Sequence, residues 1–147
     1  DSDNLIFTEG NAEELPFDDN TFDAVINIES SHCYTSMSKF ISEVSRVLKP
    51  NAHFLFCDLR RDIYINKMLS DINTNGLSLL RHSDISSNII TATTAMSDDR
   101  QTSINKLQVG WFKNVLESFA AVKGSKVHQS FTDGYLQYIS AICINKG

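Results

Sequence analysis

The chain has 147 residues, 41% hydrophobic and 21% charged, with a formal net charge of −5 at pH 7. That length suits one ordinary domain, and the composition is that of a soluble globular chain rather than a disordered one. The acidic balance argues against a surface built to track nucleic-acid phosphates, and no apolar run approaches the roughly 20 residues that cross a bilayer.

Taken in chain order, Leu5-Ile6-Phe7-Thr8 reads as a short strand ended by Gly10. Pro16 and the polar run Asp18-Asp19-Asn20 predict a turn. From Phe22 to Ile28 the chain is β-rich and nearly continuously apolar, the pattern of a parallel strand buried on both faces. The period then changes: Phe40, Ile41, Val44, Val47 and Leu48 fall on one stripe of an amphipathic helix. Pro50 stops that helix, and Asn51 can accept the left-handed turn that usually falls to glycine. Phe54-Leu55-Phe56-Cys57 follows as a second buried strand ending at Asp58, which makes a βαβ unit. A helix over 63–72, a helix end at Gly76 and a strand over 77–81 come next. Residues 85–116 are mostly helical in pattern, and Trp111, Phe112, Val115, Leu116 and Phe119 form an apolar face. A polar connection after Gly124 leads to a long β-rich run from Tyr135 to Ile144.

Asp1-Ser2-Asp3-Asn4 is acidic and polar, unlike a signal peptide. Cys33, Cys57 and Cys143 are odd in number and lack CxxC spacing, against a disulfide framework or zinc knuckle. These features point to a reducing, cytoplasmic compartment.

Two blocks carry a chemistry: Glu9-Gly10-Asn11-Ala12-Glu13-Glu14-Leu15-Pro16-Phe17 and Val47-Leu48-Lys49-Pro50-Asn51-Ala52, with Phe22 to His32 between them. Their order resembles the middle of a class I S-adenosylmethionine-dependent methyltransferase of the methyltransferase type 11 kind. Glu29, Ser31, His32 and Tyr34 are similar to the Glu-x-Ser-His-x-Tyr pattern of a subgroup that methylates hydroxyls of lipids and glycolipids, and Asp58-Leu59-Arg60 recurs there. The likeness runs from Leu5 to about Lys146, with its specificity before Arg60.

The resemblance implies a Rossmann-like α/β fold with the cofactor across the carboxyl ends of the strands. It places Asn11 and Ala12 at the adenine, where Asn11 could equally be a helix cap. It places Asn27 and Ile28 in the rest of the cofactor site, and Glu29 and His32 at methyl transfer. An imidazole suits removal of the acceptor's proton, with Glu29 supporting it or meeting the cofactor's amino group. The bland alternatives are a capping Glu29 and a surface His32. Asp58 could orient His32 or Arg60, or form a structural ion pair, the last being the simpler reading.

The family's glycine-rich cofactor loop is missing: the six glycines, Gly10, Gly76, Gly110, Gly124, Gly134 and Gly147, are all far apart. If Leu5 begins the family's third strand, the first two strands and their helices are absent. Residues 1–147 are therefore expected to be a single partial domain, the carboxyl-terminal two-thirds. Phe22 to Ile28 would then lie at an open sheet edge, which invites association. The first functional reading is methyl transfer from S-adenosylmethionine to an oxygen of a small-molecule or lipid-like acceptor, with carbon methylation of the sterol or quinone type close behind. A non-catalytic, partner-binding methyltransferase half is the second. A nicotinamide-dependent dehydrogenase fragment is a distant third, because the two blocks do not belong there. Neither a metal nor nucleic acid is expected as a ligand.

Overall fold

A computed structural model describes residues 5–95 and 126–147 of the chain. The elements in order are β1 (Phe22–Ile28), a 3-10 turn (Ser31–Cys33), α1 (Met37–Val47), β2 (Leu48–Arg61), α2 (Asp62–Thr74), β3 (Leu77–Asp84), α3 (Ser86–Ala95), α4 (Lys126–Thr132) and β4 (Leu136–Asn145). The strands form one sheet in the order β1-β2-β4-β3. β1 runs parallel to β2, and β4 runs antiparallel to both of its neighbours.

Helix α1 forms as its period predicts. Phe40, Ile41, Val44 and Val47 are its buried face, and the Ser36 side chain caps it by accepting from the Lys39 N–H. The helix gives way directly to β2, and Asn51 takes φ +64°. The left-handed residue costs one irregularity in the β1–β2 register, between Phe22 and Ala24. Along β2, Ala52, Phe54, Phe56 and Asp58 alternate into the interior. Phe54 and Phe56 join Ile41, Val44, Ile72, Leu77 and Ile139 in one core. Each large side chain fully buried there is worth about 1.5–3 kcal/mol.

A buried polar staple closes the sheet. Asn145 donates through Nδ2 to the carbonyls of Ser45, Leu48 and Lys49, and its Oδ1 accepts from Ser45 Oγ at 2.8 Å. It ties the end of β4 to the junction of α1 and β2. The predicted helix end at Gly76, φ +93°, and the strand and helices on either side of it form as expected.

The structure corrects three expectations. Residues 5–8 form no strand, and Phe7 is 88% exposed; no strand stands beyond β1 among the described residues to pair with them. β1 is not buried on both faces: it is an edge strand, and Ile26 and Ile28, on one of its faces, are each 63% exposed. The expectation of an open edge therefore holds. The polar connection after Gly124 contains α4, which a polar composition conceals and which Phe131 anchors against Tyr138. The helical reading of 85–116 holds for α3. Its remainder, with the apolar face from Trp111 to Phe119, lies outside the described residues.

Candidate active site

The parallel register sets Asn27 beside Phe56 and Ile28 beside Cys57, where the β1–β2 pairing ends while β2 continues to Arg61. Glu29 then leaves the sheet at φ +51°, its N–H still donating to the Cys57 carbonyl at 2.9 Å. This left-handed step is unusual for a residue with a Cβ and costs strain of order 1 kcal/mol or more. It turns the chain so that the 3-10 segment Ser31–Cys33 falls on the end of β2.

Asp58 waits there, fully buried. Ser31 Oγ donates to its Oδ2 at 2.5 Å and the His32 backbone N–H donates to the same oxygen at 2.9 Å. His32 Nδ1 lies 2.7 Å from Oδ1, and the Leu59 N–H donates to that oxygen at 2.8 Å. Arg60 adds its charge at 3.2 Å and donates to Ser31 Oγ at 2.7 Å. Burial alone would push the Asp58 carboxyl up, but the hydrogen bonds from Ser31 and His32 and the charge of Arg60 outweigh it and hold it below the usual range. An ionised carboxylate only accepts, so Nδ1 is the nitrogen that donates to Asp58, and in the neutral ring Nε2 is the one left to accept a proton. The His32 side chain remains 33% exposed.

Glu29 lies away from this pair, beside β4. Burial first, and then the Glu29 carboxylate accepting its proton, push the Tyr138 hydroxyl above its ordinary pKa. Asn27 donates through Nδ2 to Ser30 Oγ at 2.7 Å and to the Tyr34 hydroxyl at 3.3 Å, while its buried Oδ1 has no donor. Ile28 is exposed on the outer strand. Asn11 makes the local turn of its capping reading: Oδ1 accepts from the Glu13 N–H at 2.9 Å and its carbonyl from the Glu14 N–H at 3.0 Å. Ala12 packs partly against the core.

The Asn11 loop is held by α1. Arg46 donates to the carbonyls of Leu15 and Phe17 and pairs with Asp19 at 2.8 Å, and Glu43 accepts from the Leu15 N–H at 2.7 Å. Gly10 permits the tight return, since a Cβ there would meet Pro16 Cδ at 2.7 Å. Sequence reasoning weighed Asp58 orienting His32 against a structural ion pair and preferred the pair; Asp58 makes both contacts, with His32 Nδ1 at 2.7 Å and with Arg60 at 3.2 Å. Ser31 was visible only as a letter of a motif. Tyr138 gave no local signal, and Arg46 only its i,i+3 pairing with Glu43; their other partners are remote in the chain.

His32 opens onto a cleft of about 720 Å³ between the 3-10 turn, the start of α1, the end of β2 and α2. Met37, Tyr64, Met68 and Leu136 supply much of its apolar wall, and Arg60, Arg61 and Lys67 its charge. Among the described residues no group of His, Cys, Asp and Glu is placed to hold a metal ion. No described helix is long and apolar enough to cross a membrane.

Comparison with known proteins finds methyltransferases. Residues 1–56 match a family model described as a methyltransferase domain. The phthiotriol/phenolphthiotriol dimycocerosates methyltransferase of Mycobacterium leprae is 31% identical over 134 residues, 91% of this chain and 50% of that protein. The fatty-acid O-methyltransferase of Mycolicibacterium smegmatis is 52% identical over 56 residues, 38% of this chain and 20% of that protein. The chain thus spans at most about half the length of these relatives. A Galdieria sulphuraria structure named for sarcosine dimethylglycine methylation superposes with TM-score 0.83 at 17% identity, over 99% of this chain and 61% of that one. The geranyl diphosphate C-methyltransferase of Streptomyces coelicolor A3(2) superposes with TM-score 0.65 at 18% identity, over 92% of this chain and 50% of that one.

Proposed function

We propose that this chain, which carries part of a class I S-adenosylmethionine-dependent methyltransferase domain, provides the proton-abstracting side of an enzyme that methylates a hydroxyl oxygen of a lipid-like acceptor. The His32–Asp58 pair at the mouth of the cleft carries the reading. A hydroxyl must lose its proton as its oxygen attacks, whereas a carboxylate is already ionised near neutrality. A histidine with Nδ1 held by a buried carboxylate and Nε2 free is built for the first task and superfluous to the second. His32 is the base in this reading, Asp58 positions its ring, and Ser31 and Arg60 keep Asp58 ionised.

The residues present fit one side of the cofactor. Asn27 Oδ1 is a buried acceptor without a donor, and the Glu29 carboxylate stands at the same strand end, so the two suit the cofactor's ammonium. Asn11 and Ala12 would flank its adenine, and Ile28 its remaining apolar surface. Bound S-adenosylmethionine supplies an already activated methyl group, which leaves alignment and proton removal to the protein. The sequence holds no glycine-rich turn for the carboxylate end, so this partial domain provides only some of the cofactor's contacts. Relatives named for dimycocerosates and for fatty acids support a lipid-like acceptor. The free cysteines Cys33, Cys57 and Cys143 suit the cytoplasm.

The test is methyl transfer by the chain within its native protein, with a long-chain alcohol and a long-chain carboxylate as parallel acceptors. His32→Ala is expected to lower transfer to the alcohol by about 100-fold or more and to leave transfer to the carboxylate nearly intact. Unchanged transfer to the alcohol removes His32 as the base. A second reading, a non-catalytic half that binds a partner, is favoured by one observation, the exposed Ile26 and Ile28 on the open edge.

A further inference from the structure

Three cations line the cleft, against one lining carboxylate, in a chain whose overall charge is −5. Two of them are spoken for: Arg60 pairs with Asp58 at 3.2 Å, and Lys67 with Asp71 at 2.8 Å. Arg61 has no carboxylate partner among the described residues. Its Nε is buried without a hydrogen-bond acceptor, a state that costs free energy until an acceptor arrives.

The guanidinium is nevertheless fixed. Its backbone is the last rung of β2, paired with Leu136, and immediately precedes α2. Its Cζ lies 5.5 Å from the centre of the Tyr64 ring and 4.7 Å from that of Tyr135. The rings hold the guanidinium by cation–π contact, and a guanidinium without a carboxylate partner suits the paired oxygens of a carboxylate or phosphate. The same cleft has the apolar side chains of Met37, Met68 and Leu136.

We propose that Arg61 is the anion-binding residue of the acceptor cleft, and that the acceptor is an amphiphile bearing a carboxylate or phosphate head apart from the hydroxyl presented to His32. The proposal rests on the methyltransferase reading for the fate of the hydroxyl, but the anion site itself is a property of this chain and is measured without cofactor.

The experiment titrates the full chain calorimetrically with octanoate, octyl phosphate and octanol, each below its micellar concentration. The anions are expected to bind at least about tenfold tighter than octanol, and whichever anion binds tighter identifies the head the site takes. Arg61→Met is expected to remove that advantage and leave octanol binding unchanged, while Arg61→Lys, which keeps the charge but loses the fork, retains part of it. Equal binding of octanol and the anions, no binding of any probe, or unchanged anion affinity in a folded Arg61→Met overturns the proposal. Failure of the His32 test would leave these affinities untouched, so the two readings fall separately.

Discussion

A carboxylate with no solvent exposure is a liability unless its surroundings supply what water would. Asp58 receives hydrogen bonds from Ser31, His32 and its own neighbour Leu59, and a positive charge from Arg60. The balance leaves its folded pKa below the ordinary value. The native state therefore binds fewer protons than the unfolded chain between the two pKa values, and stability rises with pH across that window. The contribution is complete above the unfolded pKa of about 3.9 and is lost as pH falls through the lower folded value. Asp58→Asn is expected to cost about 3 kcal/mol at pH 7, since it leaves Arg60 and the donors around it without their anion. Urea unfolding at pH 7 and at steps down towards pH 3 checks this: the gap between wild type and variant should narrow once the pH falls to the unfolded pKa, where the unfolded chain takes up the proton first. A constant gap would mean that Asp58 acts through packing alone.

At the level of elements, the same positions that end a helix or a strand also set the register that makes the site. Gly76 closes α2 at φ +93°, and a Cβ there would run into the Ser45 side chain. Ser45 is poorly placed to yield, because its hydroxyl is held by Asn145. Gly76→Ala is expected to cost about 1–3 kcal/mol and to lower the melting temperature by about 3 °C or more, read by thermal unfolding. A variant as stable as wild type would show that the α2–β3 turn relaxes freely. Such local devices are what the sequence displays. The stripe of α1 as far as Val47, the left-handed Asn51 and the β-rich run of β4 were legible because each depends on neighbours within a few residues, whereas the helix ends before Pro50, which with Leu48 lies within β2. Residues 5–8 were misread because a strand exists only by pairing, and apolar letters do not reveal whether a partner stands beside them. α4 was hidden because its polar residues leave Phe131 as its visible anchor. In the site, His32 and Asp58 could each be read at the end of a strand. Their contact depends on the parallel register of β1 on β2 and on the left-handed Glu29, neither of which has a local signature. The cage of Arg61 joins residues of two elements far apart in sequence, as does the contact of Tyr138 with Glu29.

For the whole molecule, the sheet has two edges: β2 and β4 have neighbours on both sides, and β1 and β3 have one each. The outer backbone N–H and C=O groups of β1 have no partner strand among the described residues, and successive odd and even side chains point to opposite faces. Ile26 and Ile28 share one face and are each 63% exposed. Leu5, Ile6 and Phe7, also exposed, add further apolar surface to the molecule. Edges of this kind are usually blunted by charge, and the one charge on β1, Asp23, is paired with Lys49 at 2.7 Å near the strand's start. The free chain is therefore expected to self-associate, with a sedimentation coefficient that rises over a micromolar concentration series. Replacing Ile26 and Ile28 by Lys puts two cations on that strand, where they repel their counterparts in an approaching copy while leaving the core cluster intact. The double variant should remain folded by circular dichroism and sediment as a monomer throughout. Association that survives the substitutions would place the contact elsewhere, and a wild-type chain that stays monomeric at every concentration would show that β1 is protected despite its exposure.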